Sequence, residues 1–282
     1  MRMNRRRGLL LAAGVLLASR LSAAETPPAR IASLNLGADE ILVELVGTDR
    51  LVMVTTFADD PEMSNIVGRV PPGIPRVTRA KMERLVELRP DLVVVSEFTE
   101  ADFLHLLTTS KMKYHRVQMP SLDAVEAAIT ELGKAVGAEA AAGALAEEHR
   151  RRLSDLDRRL AGARRPRVLY WMEPYTAGRA TVMHDILERA GAKNLAAELG
   201  ITGFAPLPAE RAFAADPDWI VVRKEGSART ALLAHPMLSR LAAVRDGRIV
   251  EVPGRYLSTL THHTASTAET IARALHPDRF AP

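Results

Sequence analysis

One stretch of the sequence occurs twice, without a gap, 127 residues apart. Residues 82–95 read MERLVELRPDLVVV and residues 209–222 read AERAFAADPDWIVV, with Glu, Arg, Pro, Asp and two Val identical. Each copy predicts a helix, a Pro-Asp turn and a buried apolar strand, because proline ends the helix and aspartate favours the turn. A helix leading into a fully apolar strand implies parallel α/β packing, so one copy in each half predicts two parallel-sheet α/β lobes. Pro-Asp punctuation recurs generically, but it does not require the glutamate seven residues ahead of each proline, Glu83 and Glu210.

The rest of the chain fits that plan. Residues 30–35 predict a first strand, 39–46 an amphipathic helix closed by Gly47, and 51–56 a second strand. A helix over 80–88, a strand at 92–96, a helix at 100–109, a strand at 114–119 and a helix at 122–136 follow. Residues 138–161 hold no proline and only Gly143, with Leu145, His149, Leu153, Leu156 and Leu160 at helical spacing. They predict one helix of about 36 Å joining the lobes. A continuous helix has no soft hinge, so the lobes are expected to move little against each other. His149 lies on its apolar stripe and reads as a packed structural histidine, and the arginines at 150–152 and 158–159 as a solvated face. The pattern then restarts: strand 167–172, helices 182–190 and 208–215, and strand 219–223. A hairpin is expected over 245–252, centred on Asp246-Gly247. A last helix, 266–275, would open on the capping box Ser266 and Glu269 and stop at Pro277.

Composition limits the classes of function. Residues 1–24 carry five arginines and no acid, leaving 33 basic against 34 acidic side chains elsewhere, so no nucleic-acid footprint is expected. That segment has the parts of an export signal: Arg5, Arg6 and Arg7, an apolar run over 8–18, and Ser22, Ala23 and Ala24, with cleavage expected after Ala24. The run is too short to span a bilayer, which takes roughly 20 apolar residues. No cysteine is present, which removes disulfides, thiolate metal sites, cysteine nucleophiles and a lipoprotein anchor cysteine. The expected organisation is a leader (1–24), an N-terminal lobe (25–137), a backbone helix (138–163) and a C-terminal lobe (164–282).

The opening RIASLNLGADEILVELVG, the segment MERLVELRPDLVVVS, the long helix and the closing ALHPDRF together resemble the periplasmic solute-binding proteins of ABC importers. The resemblance is to the helical-backbone class, which takes up cobalamin, ferric siderophores, haem or metal ions. It implies a cleft between lobes that captures a metal chelate, cobalamin or a ferric siderophore, with haem as the alternative. Delivery would be to an inner-membrane permease with its ATPase, and that permease would be the only link to the membrane. It implies a periplasmic monomer whose ligand is transported cargo, with no resident cofactor. In that class one glutamate per lobe docks into arginine pockets of the permease, and Glu83 and Glu210 stand in the matching places. Both also lie near predicted helix N-termini, where the dipole alone favours a carboxylate by about 0.3–1 kcal/mol.

In parallel sheets ligands lie beyond the carboxyl ends of the strands. That rule selects Asn35, Leu36, Phe57, Glu97 and Phe98 in the first lobe. In the second it selects Trp171, Glu173, Pro174, Tyr175, Arg179, Arg223, Lys224, Arg255 and Tyr256. Rings suit a large, partly apolar ligand and arginines suit its carboxylate or phosphate groups. A bare metal ion would need a compact set of His and carboxylates from both lobes. His105 and His115 do not follow strand ends, so a free ion fits poorly. Haem would want an axial Tyr or His, for which Tyr175, Tyr256, His262 and His263 are candidates, with His262 and His263 the metal-ligand pair. No G-x-S-x-G, H-E-x-x-H, Walker A or G-x-G-x-x-G sequence is present, so a binder rather than an enzyme is expected. The remaining enzyme reading is an exported α/β hydrolase working through Glu173 and His184.

Overall fold

A computed structural model of the chain describes residues 26–79 and 81–281. The expected export leader falls outside the described residues. The N-terminal lobe runs β1 (Ile31–Ser33), α1 (Leu36–Val46), β2 (Leu51–Thr55), β3 (Arg76–Val77), α2 (Met82–Leu88), β4 (Leu92–Ser96), α3 (Ala101–Thr109), β5 (Tyr114–Val117) and α4 (Leu122–Val136). Its strands form one parallel sheet in the order β3-β2-β1-β4-β5. After α5 (Glu139–Leu160) come β6 (Arg167–Tyr170), β7 (Tyr175–Ala177), α6 (Val182–Arg189), β8 (Lys193–Asn194), α7 (Leu195–Glu198), β9 (Phe204–Pro206), α8 (Ala209–Ala215) and β10 (Trp219–Arg223). The chain closes with α9 (Ala228–Ala234), α10 (Ala242–Arg245), β11 (Ile249–Val252), α11 (Gly254–Leu257) and α12 (Thr264–Leu275). The second parallel sheet has the order β11-β10-β6-β8, and β7 and β9 form a separate antiparallel ribbon. The architecture is the expected pair of parallel-sheet α/β lobes.

The two copies of the sequence repeat make the same bonds. Helices α2 and α8 are both seven residues long and end on a left-handed residue, Arg89 and Asp216, each at φ 46°. Proline then stops the helix, and the aspartate turns back on the first strand of its lobe. Asp91 N donates to Arg30 O at 2.8 Å, and Asp91 Oδ2 accepts from the backbone of Ala29 and Arg30 at 2.9 Å. Asp218 N donates to Arg167 O at 2.9 Å, and Asp218 Oδ2 accepts from Arg167 N at 2.8 Å. The arginine at each strand start caps carbonyls that the repeat helix leaves free: Arg30 those of Leu88 and Arg89, Arg167 that of Asp216. These bonds fix the central strand pairs, Ile31 beside Leu92 and Val168 beside Trp219.

Helix α5 belongs to both lobes. Ala142 and Ala146 are buried in the N-terminal core, and Leu153, Leu156 and Leu160 in the C-terminal core. It packs closely on α4 because Gly133 has no side chain; a Cβ there would lie 2.2 Å from that of Ala142. His149 is buried midway, its Nε2 3.0 Å from Thr264 Oγ1 and its Nδ1 3.4 Å from Glu126 Oε1, so it joins α5 to α4 and α12. Arg150, Arg151 and Arg158 lie on the solvated face and pair with neighbouring acids, whereas Arg152, expected there too, is half-buried and reaches across to α12.

Two local expectations are corrected. Residues 245–252 form no hairpin: Asp246-Gly247 closes α10, with Arg248 N donating to Ala243 O at 2.8 Å, and β11 runs parallel to β10. Buried Ala243 and Val244 make the preceding segment a short helix, which leaves no strand to pair back. Nor do Ser266 and Glu269 form a capping box. The last helix begins two residues earlier, at Thr264, and both side chains instead receive Arg152 of α5, at 2.9 Å and 2.7 Å.

Replacing Asp218 by Ala removes the acceptor that holds β6, and should lower unfolding free energy in urea by about 1–2 kcal/mol. Asp157→Ala, which removes a surface partner of Arg189, should cost less than about 0.5 kcal/mol. Equal costs would make the clamp no more than a surface contact.

Candidate functional site

The loops that leave the carboxyl ends of the two sheets meet. Arg223, the last residue of β10, donates through Nη2 to Glu62 O, which follows β2, at 2.8 Å. Asn65 Nδ2 donates to Arg255 O, which follows β11, at 2.9 Å. Deeper in this seam the carboxylate of Glu40, on α1, is buried and accepts four hydrogen bonds. Asn65 supplies its backbone N–H and Nδ2 at 2.9 and 3.0 Å, and Thr259 and Thr261 of the C-terminal lobe supply hydroxyls at 2.8 and 3.0 Å. Its neighbour Asp39 is also fully buried and accepts from Thr55 N and Oγ1 at 3.0 and 2.6 Å, while its Oδ1 has no partner. Burial raises both carboxyls, Asp39 to about 7.

Both lobes carry exposed rings. In the N-terminal lobe Phe98, in the turn after β4, is 84% exposed, and Phe57 is partly exposed in the 3-10 turn after β2. Phe98 and Arg79 border a hollow of about 250 Å³ with Leu34, Thr99 and Phe103. On the C-terminal side Tyr175 is 44% exposed, and across the β7–β9 ribbon Phe204 is 61% exposed. Arg255 lies over the ring of Tyr256 at 4.9 Å, and Tyr256 stacks on His263 at 6.4 Å. Arg255, Tyr256 and His263 line a cavity of about 370 Å³ together with Pro61, Ser64, Asn65 and Val67 of the other lobe. Arg179 and Lys224 are exposed.

Several candidates are placed elsewhere. Trp171 is only 3% exposed and packs in the C-terminal core with Leu169, Ile220 and Val222. It continues β6 as an interior residue, with its N–H on Val221 O, so it does not line the cleft. Asn35 spends its side chain capping α1, accepting from Ala38 N at 3.0 Å, and Leu36 is buried beside it. Arg223 is engaged between the lobes. His262 and His263 lie 4.0 Å apart, and burial holds them down at about 3 and about 4, so both rings are neutral. One nitrogen of each ring, His262 Nδ1 and His263 Nε2, is buried without a partner, while His263 also borders the cavity it shares with Arg255 and Tyr256. Among the described residues no group of three or more His, Asp or Glu is arranged to hold a metal ion. His184 sits in α6 with Nδ1 3.4 Å from Asn194 Nδ2, and no hydrogen bond joins it to the exposed Glu173.

Phe204, Arg79 and Asn65 escaped the strand-end reading. Phe204 and Arg79 follow no long apolar strand, and Asn65 lies in a loop whose only sequence signal is its polarity.

Glu83 and Glu210 are each the second residue of α2 and α8, exposed, with no ion-pair partner among the described residues. Because these helices run back to strands β4 and β10, their N-termini lie at the carboxyl ends of the sheets. The two acids therefore sit on the same side of the molecule as the loops that meet at the seam.

Residues 31–256 match the family described as periplasmic binding protein, and the chain belongs to that family. A cobalamin-binding protein of Halobacterium salinarum is 26% identical over 262 residues, covering 89% of this chain and 70% of the relative. A periplasmic haem-binding protein of Pseudomonas aeruginosa has the same fold, with TM-score 0.74 and 28% identity over 89% of this chain and 93% of that one. The periplasmic vitamin B12 binding protein of Vibrio cholerae shares the fold at TM-score 0.72 and 21% identity, covering 89% of this chain and 98% of that one.

The buried acids and histidines pull stability in opposite directions with pH. Asp39 binds a proton in the folded chain up to about pH 7 and in the unfolded chain only to about pH 4, so its contribution is present in acid and lost as pH rises through about 7. His262 and His263 do the reverse: their contribution is present above about pH 6.5 and lost as pH falls through about 4 and then about 3. Asp39→Asn should therefore make stability climb more steeply between about pH 4 and about pH 7. Urea midpoints for parent and variant across that range check this, and parallel profiles would contradict it.

Proposed function

We propose that the chain is the cargo-capturing component of an ABC importer, holding a metal chelate between its lobes and delivering it to a membrane permease with its ATPase. The observation that carries this is the presence of exposed rings on both lobes beside a seam whose two walls are held together by Glu40. Exposed Phe98, Phe57, Tyr175 and Phe204 offer apolar faces that a large, partly apolar ligand would cover. Arg79, Arg179, Lys224 and Arg255 would meet polar groups at the ligand's edge. A chelate brings its metal already coordinated, so side chains need grip only its periphery. Cobalamin or a ferric siderophore is the first reading, consistent with what the archaeal relative is named for. Haem is the second, favoured by the 28% identical haem-binding structure, with Tyr175 or Tyr256 as the axial group. Export to the periplasm, signal removal near Ala24, a monomeric state and the lack of a resident cofactor complete the reading.

The test is a spectral titration of the protein lacking residues 1–24 against cyanocobalamin, haemin, and a ferric catecholate and a ferric hydroxamate siderophore. One of them should saturate at a fixed stoichiometry with no chemical conversion. Tyr175→Ala should weaken that complex by roughly 1–3 kcal/mol with the fold intact. Saturation by none, or turnover, would sink the assignment.

Glu83 and Glu210 are read as the docking acids, one for each lobe. Two unpaired carboxylates on the cleft side let a partner that meets both cover the opening through which cargo leaves. In cells or reconstituted vesicles, Glu83→Ala or Glu210→Ala should impair uptake while leaving the titration unchanged, the double variant should be worse, and reversal to Arg worse again through like-charge repulsion. Normal uptake by the double variant would leave the helix dipole as the only role for these acids.

A further inference from the structure

We propose that Arg223 is a positioning residue that sets the spacing of the two lobes at the mouth of the cleft, and that Gly254 is the groove through which its guanidinium passes. Arg223 leaves the end of β10 and is held on three sides. Above it, Nη2 donates to Glu62 O at 2.8 Å, with the Glu62 carboxylate 3.9 Å away. Beside it, Nε lies 3.6 Å from Glu225 Oε2, and that same oxygen accepts from Gly254 N at 2.6 Å. Beneath it runs the backbone of Gly254, where a Cβ would stand 2.4 Å from the Nε, Cζ and Nη2 of Arg223.

Gly254 is not needed for its own backbone: its φ is not positive, unlike that of Gly247 or Gly226, and it opens the short helix α11 as any residue could. What excludes a side chain is the guanidinium crossing over it. Because the anchor in the other lobe is a backbone carbonyl, the arginine reads the position of the Glu62 loop itself. The bonds of Glu40 and Asn65 across the seam lie deeper, whereas Arg223 is about one-third exposed at the edge.

The functional consequence rests on reading the seam as the binding cleft, but lobe spacing can be measured without cargo, so the clasp and that reading fail separately. The chain has no cysteine, so Thr109→Cys on α3 and Ala242→Cys on α10, both exposed, accept one spin label per lobe. In the parent the distance distribution should be narrow. Arg223→Ala should shift and broaden it. Gly254→Ala should do the same, since the clash falls on the end of a flexible side chain and displaces that side chain rather than the fold. The double variant should match the singles, because Gly254 acts only through Arg223. An unchanged distribution in Arg223→Ala, or a further widening when Gly254→Ala is added to it, would overturn the proposal.

Discussion

A carboxylate out of reach of water has to find its donors in the protein, and Glu40 finds them in two lobes at once. Pulling the lobes apart would strip two hydroxyl donors from a buried acid, at a cost comparable to breaking a buried polar network. That requirement holds α1 of one lobe against the Thr259–Thr261 loop of the other and so fixes the floor of the seam. Ordinary apolar packing would leave the lobes free to slide; a directional acceptor with donors on both sides does not. Asp185, accepting from Leu122 N, adds a further directional tie between the lobes.

Much of the fold was legible because it was repeated. Helix α4 and strands β4 and β10 have the bounds their periodicity and punctuation imply, and the long helix is misjudged only by a residue at either end. The Pro-Asp signature marked the αβ units, but its carboxylate also fastens each lobe's first strand, a long-range bond that no local pattern reports. Asp246-Gly247 was misread because the same dipeptide closes a helix as readily as it turns a hairpin; the buried Ala243 and Val244 decide between them. Ser266 and Glu269 had the spacing of a capping box and were claimed instead by an arginine from another helix.

The site was harder to read than the fold for a geometric reason. The end of a strand predicts where a side chain leaves the sheet, but not on which face. Phe98 and Tyr175 leave toward solvent; Trp171, one residue beyond β6, leaves toward the core. Phe204 becomes visible only when β7 and β9 pair across an intervening helical segment. His262 and His263 are adjacent letters whose rings meet at 4.0 Å in the seam, each with one nitrogen buried and unpartnered, a setting the sequence does not report.

Helix α5 gives half of its apolar stripe to each core, and this orders events as the chain is made. Ala142 and Ala146 can dock as soon as they emerge, on strands and helices already synthesised. Leu153, Leu156 and Leu160 must wait for α6 and finally α12, which begins only at Thr264. For that interval half of one helix is folded and its continuation is an exposed apolar ridge, open to self-association or to a chaperone. The last dozen helical residues of the chain are therefore what ends its period of greatest vulnerability. A truncation that removes α12 would strand a finished first lobe with an unfinished backbone.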